Sequence, residues 1–371
     1  MGWLPDKLPA KAEPVWTVEV TSAGLGGVAA TADHVFFSDR GLNDTADVWK
    51  CVTAAAGKEV WSHLTPCKGA LDYGNSPRAT PLVGGDFVYT FGAFGHLTCL
   101  KLKSGEVEWE LDLPLEFDVT DKPKWGTCSS PLIVDGKLIV NPGAKEASLV
   151  ALDPKTGKTK WKTPGKAAGY GSLIAGTFGG VNQIVGHDTD TLGGWAVDTG
   201  KRLWTLKPDA PNDFNVPTPI GVGGKLLVTT ENNGTRLYQF ADGGTIDPKP
   251  VAVNKKLTPD THTPVVVGDR VLGVWKRLYA LDLKNGLKEK WDSNDKVFHR
   301  YSALVATDKR ALAIGLEGEL VLFDPTADEW EELGRLKVFA NEKGLYAHPA
   351  FVGKRVYVRG GSAVVCVDLG G

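Results

Sequence analysis

Five hairpins in this chain follow one formula: an apolar run, a turn carrying Gly, then a Trp. They read KCVTAAAGKEVW at 50–61, TCLKLKSGEVEW at 98–109, SLVALDPKTGKTKW at 148–161, GWAVDTGKRLW at 194–204 and LYALDLKNGLKEKW at 278–291. A short apolar run bounded by turn signals predicts a strand. Gly takes φ > 0 cheaply in the turn, and Pro154 presets φ in the third copy. The alternation of Lys and Thr around Trp161 predicts an outer strand with one large anchor. LVLFDPTADEW at 320–330 is a looser copy, without the Gly and with Trp330 two places early.

A second segment recurs before each hairpin. Examples are ATPLVGGDFVYTFG at 79–92, SSPLIVDGKLIVNPG at 129–143, PTPIGVGGKLLVTT at 217–230, HTPVVVGDRVLGV at 262–274 and AHPAFVGKRVYVRG at 347–360. Each predicts two strands joined by a tight Gly-containing turn. The period is therefore four strands. Trp61, Trp109, Trp161 and Trp204 recur at intervals of 43 to 52 residues. Trp204 and Trp291 lie about two periods apart, and the hidden repeat occupies 215–254, where LYQFADGGTIDPKP lacks the Trp.

A four-strand unit at near-constant period predicts an all-β fold, an eight-bladed β-propeller of four-stranded antiparallel blades. The blades start near Gly24, Asn75, Trp125, Gly169, Asn215, Asp260, Arg300 and Leu345. A length of 371 residues alone suggests two or three domains; the repeat instead predicts one domain over 1–371. The last unit ends at SAVVCVDLGG with three strands, whereas PVWTVEV at 14–20 has no unit of its own. This N-terminal strand is expected to complete the last blade, close the ring and remove an open sheet edge. Seven blades are the alternative if the sixth and seventh units are miscounted. Residues 1–11 carry no strand pattern and are expected to be dispensable.

The hairpin formula resembles the repeat of quinoprotein-type propellers, the pyrroloquinoline quinone (PQQ) repeat. Within that group the chain is similar to the BamB-like propellers, which lack appended domains. The resemblance implies that the repeated Trp residues, here Trp16, Trp61, Trp109, Trp161, Trp204 and Trp291, dock between neighbouring blades. Burying one is worth roughly 4–6 kcal/mol as an upper figure. It also implies a periplasmic or cell-envelope location; a native start at Met1 would instead place the protein in the cytoplasm. Catalytic quinoproteins carry a vicinal Cys pair and a calcium constellation. This chain has no Cys-Cys pair and no calcium ligand set that can be aligned. No cofactor is therefore predicted, with PQQ and calcium the alternative.

Composition narrows the partners. A net charge of −2 argues against a dominant nucleic-acid function. No apolar run of about 18 residues exists, so no transmembrane segment is expected. The first fourteen residues hold no apolar signal core. Cys51, Cys99 and Cys366 fall at third-strand positions and are read as buried fillers; a Cys51–Cys67 link stays open. No CxxC motif predicts a zinc or haem site, and no metal is predicted.

Chemistry is expected where the repeat breaks down, on the loops of a rigid scaffold. The blade-opening positions Arg78, Trp125, Tyr170, Asn215, His262, Tyr301 and His348 should ring the channel mouth. A second loop set adds Asp39, Arg40, His96, Lys145, Glu146, His187, Asp188, Glu231, Asn232, Trp275, Lys276, Glu317 and Arg359. Aromatic, Arg, His and carboxylate groups in one funnel suit a polar ligand such as a sugar. The reading is a non-catalytic monomer that binds a protein partner or an extended polymer on its loop face. The alternative is an enzyme acting on a carbohydrate or alcohol in the funnel, in one form a quinone-dependent dehydrogenase.

Overall fold

The computed structural model describes residues 3–211, 213 and 215–370. Its strands form eight four-stranded antiparallel sheets, the blades of a β-propeller. The first seven occupy 29–66, 82–112, 132–163, 174–206, 220–254, 265–293 and 302–337 in chain order. The eighth combines three strands from 350–368 with the strand Pro14–Glu19. Among the described residues helix is confined to one turn at Leu113–Glu116 and a 3₁₀ turn at Lys296–Phe298. Neither is long and apolar enough to cross a membrane.

The first strands of neighbouring blades lie side by side, as in blades four and five, six and seven, and eight and one. They form the inner ring. Apolar residues of the second and third strands pack between blades, as Leu138, Val140 and Val150 of blade three do against Tyr89, Leu97 and Cys99 of blade two.

The eight-blade count and the N-terminal closure both hold. The strand Pro14–Glu19 pairs antiparallel with Ala363–Asp368, placing Trp16 opposite Cys366 and Val18 opposite Val364. Val20 N–H donates to the Ser362 carbonyl at 2.9 Å and continues the seam. Arg359 ties the seam from within. It is 1% exposed and donates to the carbonyls of Ser38 in blade one and Ser22 in the lead to it.

The hairpin formula has a geometric reason. Each Trp stands opposite a small third-strand residue: Cys51 faces Trp61, Cys99 faces Trp109, and Ala151 faces Trp161. A register shift follows one residue on. The indole then crosses to the next blade. Trp16, Trp61, Trp109, Trp161 and Trp291 donate Nε1–H to the carbonyls of Ala54, Leu102, Pro154, Val197 and Ala327, at 2.8 to 3.1 Å. The ring lies on the turn glycine there. A Cβ at Gly57 would sit 2.8 Å from Trp16, and one at Gly157 2.8 Å from Trp109. With φ of +66° and +69°, these positions need Gly both for conformation and for room. In blades one to four, the turn Gly (Gly57, Gly105, Gly157 and Gly200) thus receives the preceding blade's Trp.

Three blades depart from the formula. Trp204 turns back to Gln183 Oε1 at 2.7 Å, and Gln183 Nε2 passes the contact to the Gly244 carbonyl of blade five at 2.9 Å. Blade five has no Trp. Its Asn254 donates to the Leu287 carbonyl of blade six at 2.9 Å. In blade seven Gly334 stands opposite Leu322, beside the register shift, where a Trp would be expected. The space there holds Leu8, whose backbone N would be 3.5 Å from a Cβ at Gly334. Leu4 is buried, and Trp3, Leu8 and Ala12 pack on the same cluster as Leu333 and Leu336. Asp6 pairs with Arg310 at 2.8 Å. These contacts of residues 3–12 run against the expectation that residues 1–11 are dispensable. Strand periodicity could not reveal a segment that packs as an irregular plug.

All five cysteines are free, so the Cys51–Cys67 link is not formed. Cys51, Cys99 and Cys366 are fully buried among apolar neighbours. Cys67 lies 3.1 Å from Arg40 Nη1.

Candidate functional site

The connections that open the blades bring side chains from around the ring to one central cavity of about 660 Å³. Six of the nine residues singled out in the sequence line it: Arg78, Trp125, Tyr170, His262, Tyr301 and His348. Beneath them runs a belt of hydroxyls. Thr80 N–H donates to Ser130 Oγ, Ser130 N–H to Ser172 Oγ, Ser172 N–H to Thr218 Oγ1, and Thr218 N–H to Thr263 Oγ1, all at 3.0 to 3.2 Å. Each bond crosses from one blade to the next. The belt satisfies inner backbone donors that would otherwise face the channel unpaired. Its signal is visible in the sequence as Ser or Thr before Pro in ATP, SSP, PTP and HTP, but sequence reasoning assigned it no role.

The cavity has two aromatic walls. On one side Trp125 and Tyr170 meet at 4.8 Å between ring centroids. On the other, His262, Tyr301 and Tyr346 form a file at 4.9 and 5.4 Å. Burial pushes His262 down to about 4, so its ring is neutral near pH 7. Its Nε2 lies 3.3 Å from the Arg300 carbonyl, the tautomer that donates there. Burial also raises the Tyr301 phenol. Arg78 is fixed by the carbonyls of Ser76, Asp72 and Gly74, the last two at 3.0 and 2.7 Å. Its Nε is buried without a protein partner, and burial lowers its pKa. Lys276 lies 5.0 Å from the Trp275 ring centroid. Arg78, Lys276 and Arg300 face one carboxylate in the lining, Asp260.

The remaining three sequence candidates lie elsewhere. His187 and Asn215 line a separate cavity between blades four and five. His96 sits at the start of a blade-two strand, 3.7 Å from Asp112. Asp39, Arg40 and Arg359, placed among the loops by sequence, are buried in strands; Asp39 and Arg359 lie at the seam of blades one and eight, and Arg40 points inside blade one toward Phe94 of blade two. Arg40 is bound by Asp47 at 2.6 Å and Asp44 at 2.8 Å. These charges are internal clamps. Sequence reasoning did not name Tyr73, Asp260, Arg300 and Tyr346 in the central lining; Asp260 and Arg300 were read only as blade starts, one or two places before His262 and Tyr301, and Tyr73 and Tyr346 lie in loops outside the repeat.

The donor set does not fit calcium-bound PQQ. Calcium takes six to eight oxygen ligands, typically with several carboxylates. The described lining offers Asp260 alone, and among the described residues no three His, Cys, Asp or Glu side chains group closely enough to share an ion.

Fold, Trp–Gly contacts and hydroxyl belt together define a PQQ-repeat β-propeller. A family model described as outer membrane protein assembly factor BamB matches residues 44–293, and the chain belongs to that family. It is 24% identical over 350 residues to the outer membrane protein assembly factor BamB of Shewanella oneidensis, covering 78% of this chain and 84% of the relative. The fold is shared with BamB from Moraxella catarrhalis, at TM-score 0.66 and 14% identity over 96% of this chain and 98% of that one. It is also shared with the quinohemoprotein alcohol dehydrogenase ADHIIG from Pseudomonas putida HK5. There the TM-score is 0.70 and the identity 12%, over 100% of this chain and 78% of that one.

Proposed function

We propose that this chain is a non-catalytic, monomeric assembly scaffold of the cell envelope, working as one domain in the periplasm. It holds an extended partner polypeptide on its loop face, with a segment entering the central funnel. The carrying observation is the convergence of Arg78, Trp125, Tyr170, His262, Tyr301 and His348 on one open cavity. Aromatic walls accept side chains of varied shape, and Arg78, Lys276 and Arg300 accept carbonyls and carboxylates. Membership of the BamB family supports a role with outer-membrane proteins.

The rival reading is oxidation of an alcohol or carbohydrate in the same funnel. The fold shared with a quinohemoprotein alcohol dehydrogenase supports it, and the single lining carboxylate weighs against it.

A photo-crosslinking residue at Tyr346, compared with one at exposed Lys158 on a Gly hairpin, tests the choice in envelope fractions. The scaffold reading expects adducts with an outer-membrane-protein assembly component or client from position 346 only. Alcohol turnover after addition of PQQ and calcium, with no adduct from position 346, would establish the rival.

A further inference from the structure

We infer that the cavity between blades four and five is a second binding site, for a neutral polyhydroxylated ligand of mono- to disaccharide size. It is separate from the central funnel and has a volume of about 560 Å³, within the ordinary range for small-molecule sites. Two polar side chains on its wall are more than nine-tenths buried yet incompletely bonded. His187 is 8% exposed, and its Nε2 has no protein partner. Arg236 is 6% exposed, and its Nε has none. The Arg236 Nη2 donates to Thr230 Oγ1 at 2.6 Å, but Nη1 reaches only Tyr238 Oη at 3.5 Å. Its nearest carboxylate, Asp213, is 3.9 Å away and already accepts from Asn232 N–H at 2.7 Å and Asn233 Nδ2 at 2.6 Å. A buried guanidinium left this open is costly unless something else fills its hydrogen bonds.

The surrounding charges select the class of ligand. Arg236 and Lys207 line the cavity together with Asp190, Asp209 and Asp213; Asp213 lies beside Arg236, and Asp190 also pairs with Lys166 at 3.4 Å. An anion would meet three carboxylates, and a cation would meet the buried guanidinium. A hydroxyl group suits both, because it accepts from Arg236 and donates to a carboxylate. Neutral His187, pushed down to about 4 by burial and by Arg236, can bond a hydroxyl in either direction. Leu192, Leu206 and Pro208 supply apolar wall for the carbon faces of a sugar ring.

Calorimetric titration with maltose and with N-acetylglucosamine, beside succinate and spermidine as ionic probes, tests the site on the whole chain. Ring signals of His187 are followed by NMR in parallel. The expected result is saturable binding of a sugar that shifts the His187 signals. Tyr238→Phe and Asp190→Asn should each weaken it at least fivefold, while Arg78→Ala in the funnel leaves it unchanged. Three results would overturn the assignment: tighter binding of succinate or spermidine, binding that survives both substitutions, or no sugar binding with unmoved His187 signals. Thermal melts of both variants, matched to the parent, separate lost binding from lost fold.

Discussion

Trp16 Nε1 donates to the carbonyl of Ala54 at 3.0 Å, a bond that joins the N-terminal strand of blade eight to the Gly turn of blade one. The same bond links five of the eight blade junctions, so one contact type both sets the repeat and closes the ring. Trp16→Ala should cost about 3–5 kcal/mol, the range for removing a large buried aromatic, and Trp161→Ala, whose ring is only partly buried, about 2–3 kcal/mol. Lys158→Ala, exposed on its hairpin, should change stability by less than about 0.5 kcal/mol. Urea unfolding of the three variants gives the comparison; equal small effects would remove the Trp contact from the account.

Where Trp is missing, other groups substitute, and each substitute can be deleted. Asn254→Ala strips the Leu287 carbonyl of its cross-blade donor and leaves Lys256 and Leu257 N–H without their acceptor. The loss should be about 1–3 kcal/mol. Amide exchange should quicken across 251–257 and stay unchanged across 156–163. Uniform exchange in the variant would show that Asn254 is incidental.

The plug on blade seven leads to a different expectation from the sequence. Leu4→Ala should cost about 2 kcal/mol or more, because it empties a buried leucine site. Removing residues 1–12 should lower the melting temperature clearly, since Gly334, Leu333 and Leu336 lose their cover. A shortened chain that melts with the parent would mean that these contacts contribute nothing.

These comparisons mark what the sequence made legible. Blade number, strand order and closure were readable because they depend on the period and on the recurrence of an apolar run, a Gly turn and a Trp. Six funnel residues were readable for the same reason, since Arg78, Trp125 and His348 occupy equivalent places before inner strands. The clamps at Asp39, Arg40 and Arg359 were misplaced because a charged residue at a strand end looks like a loop residue. Only the packed partners, Asp47 for Arg40 and the Ser38 carbonyl for Arg359, show that they point inward. Leu4 and Leu8 had no period to betray them.

Buried neutral histidines should make the fold acid-sensitive. His187 and His262 are both pushed down to about 4 from the ordinary 6.5. Between those values the unfolded chain binds more protons than the folded one. The contribution of these two groups to stability therefore falls as pH drops from about 6.5 to about 4 and changes no further below. The two together should remove several kcal/mol, at about 1.4 kcal/mol per pH unit per group. His262→Gln should flatten part of this slope in urea melts at pH 7, 6, 5 and 4.5. An unchanged slope would show that His262 is protonated or solvated in the folded state.

The proposal that the funnel face holds an extended polypeptide is tested most directly by fluorescence anisotropy. The probe is a labelled, unfolded outer-membrane β-barrel polypeptide, titrated with the intact chain and with a Trp125→Ala/Tyr346→Ala variant. The account predicts saturable binding by the intact chain and a Kd at least tenfold weaker in the variant, about 1.4 kcal/mol, with Lys158→Ala unchanged. Equal affinity for parent and funnel variant, or no binding at all, would contradict it.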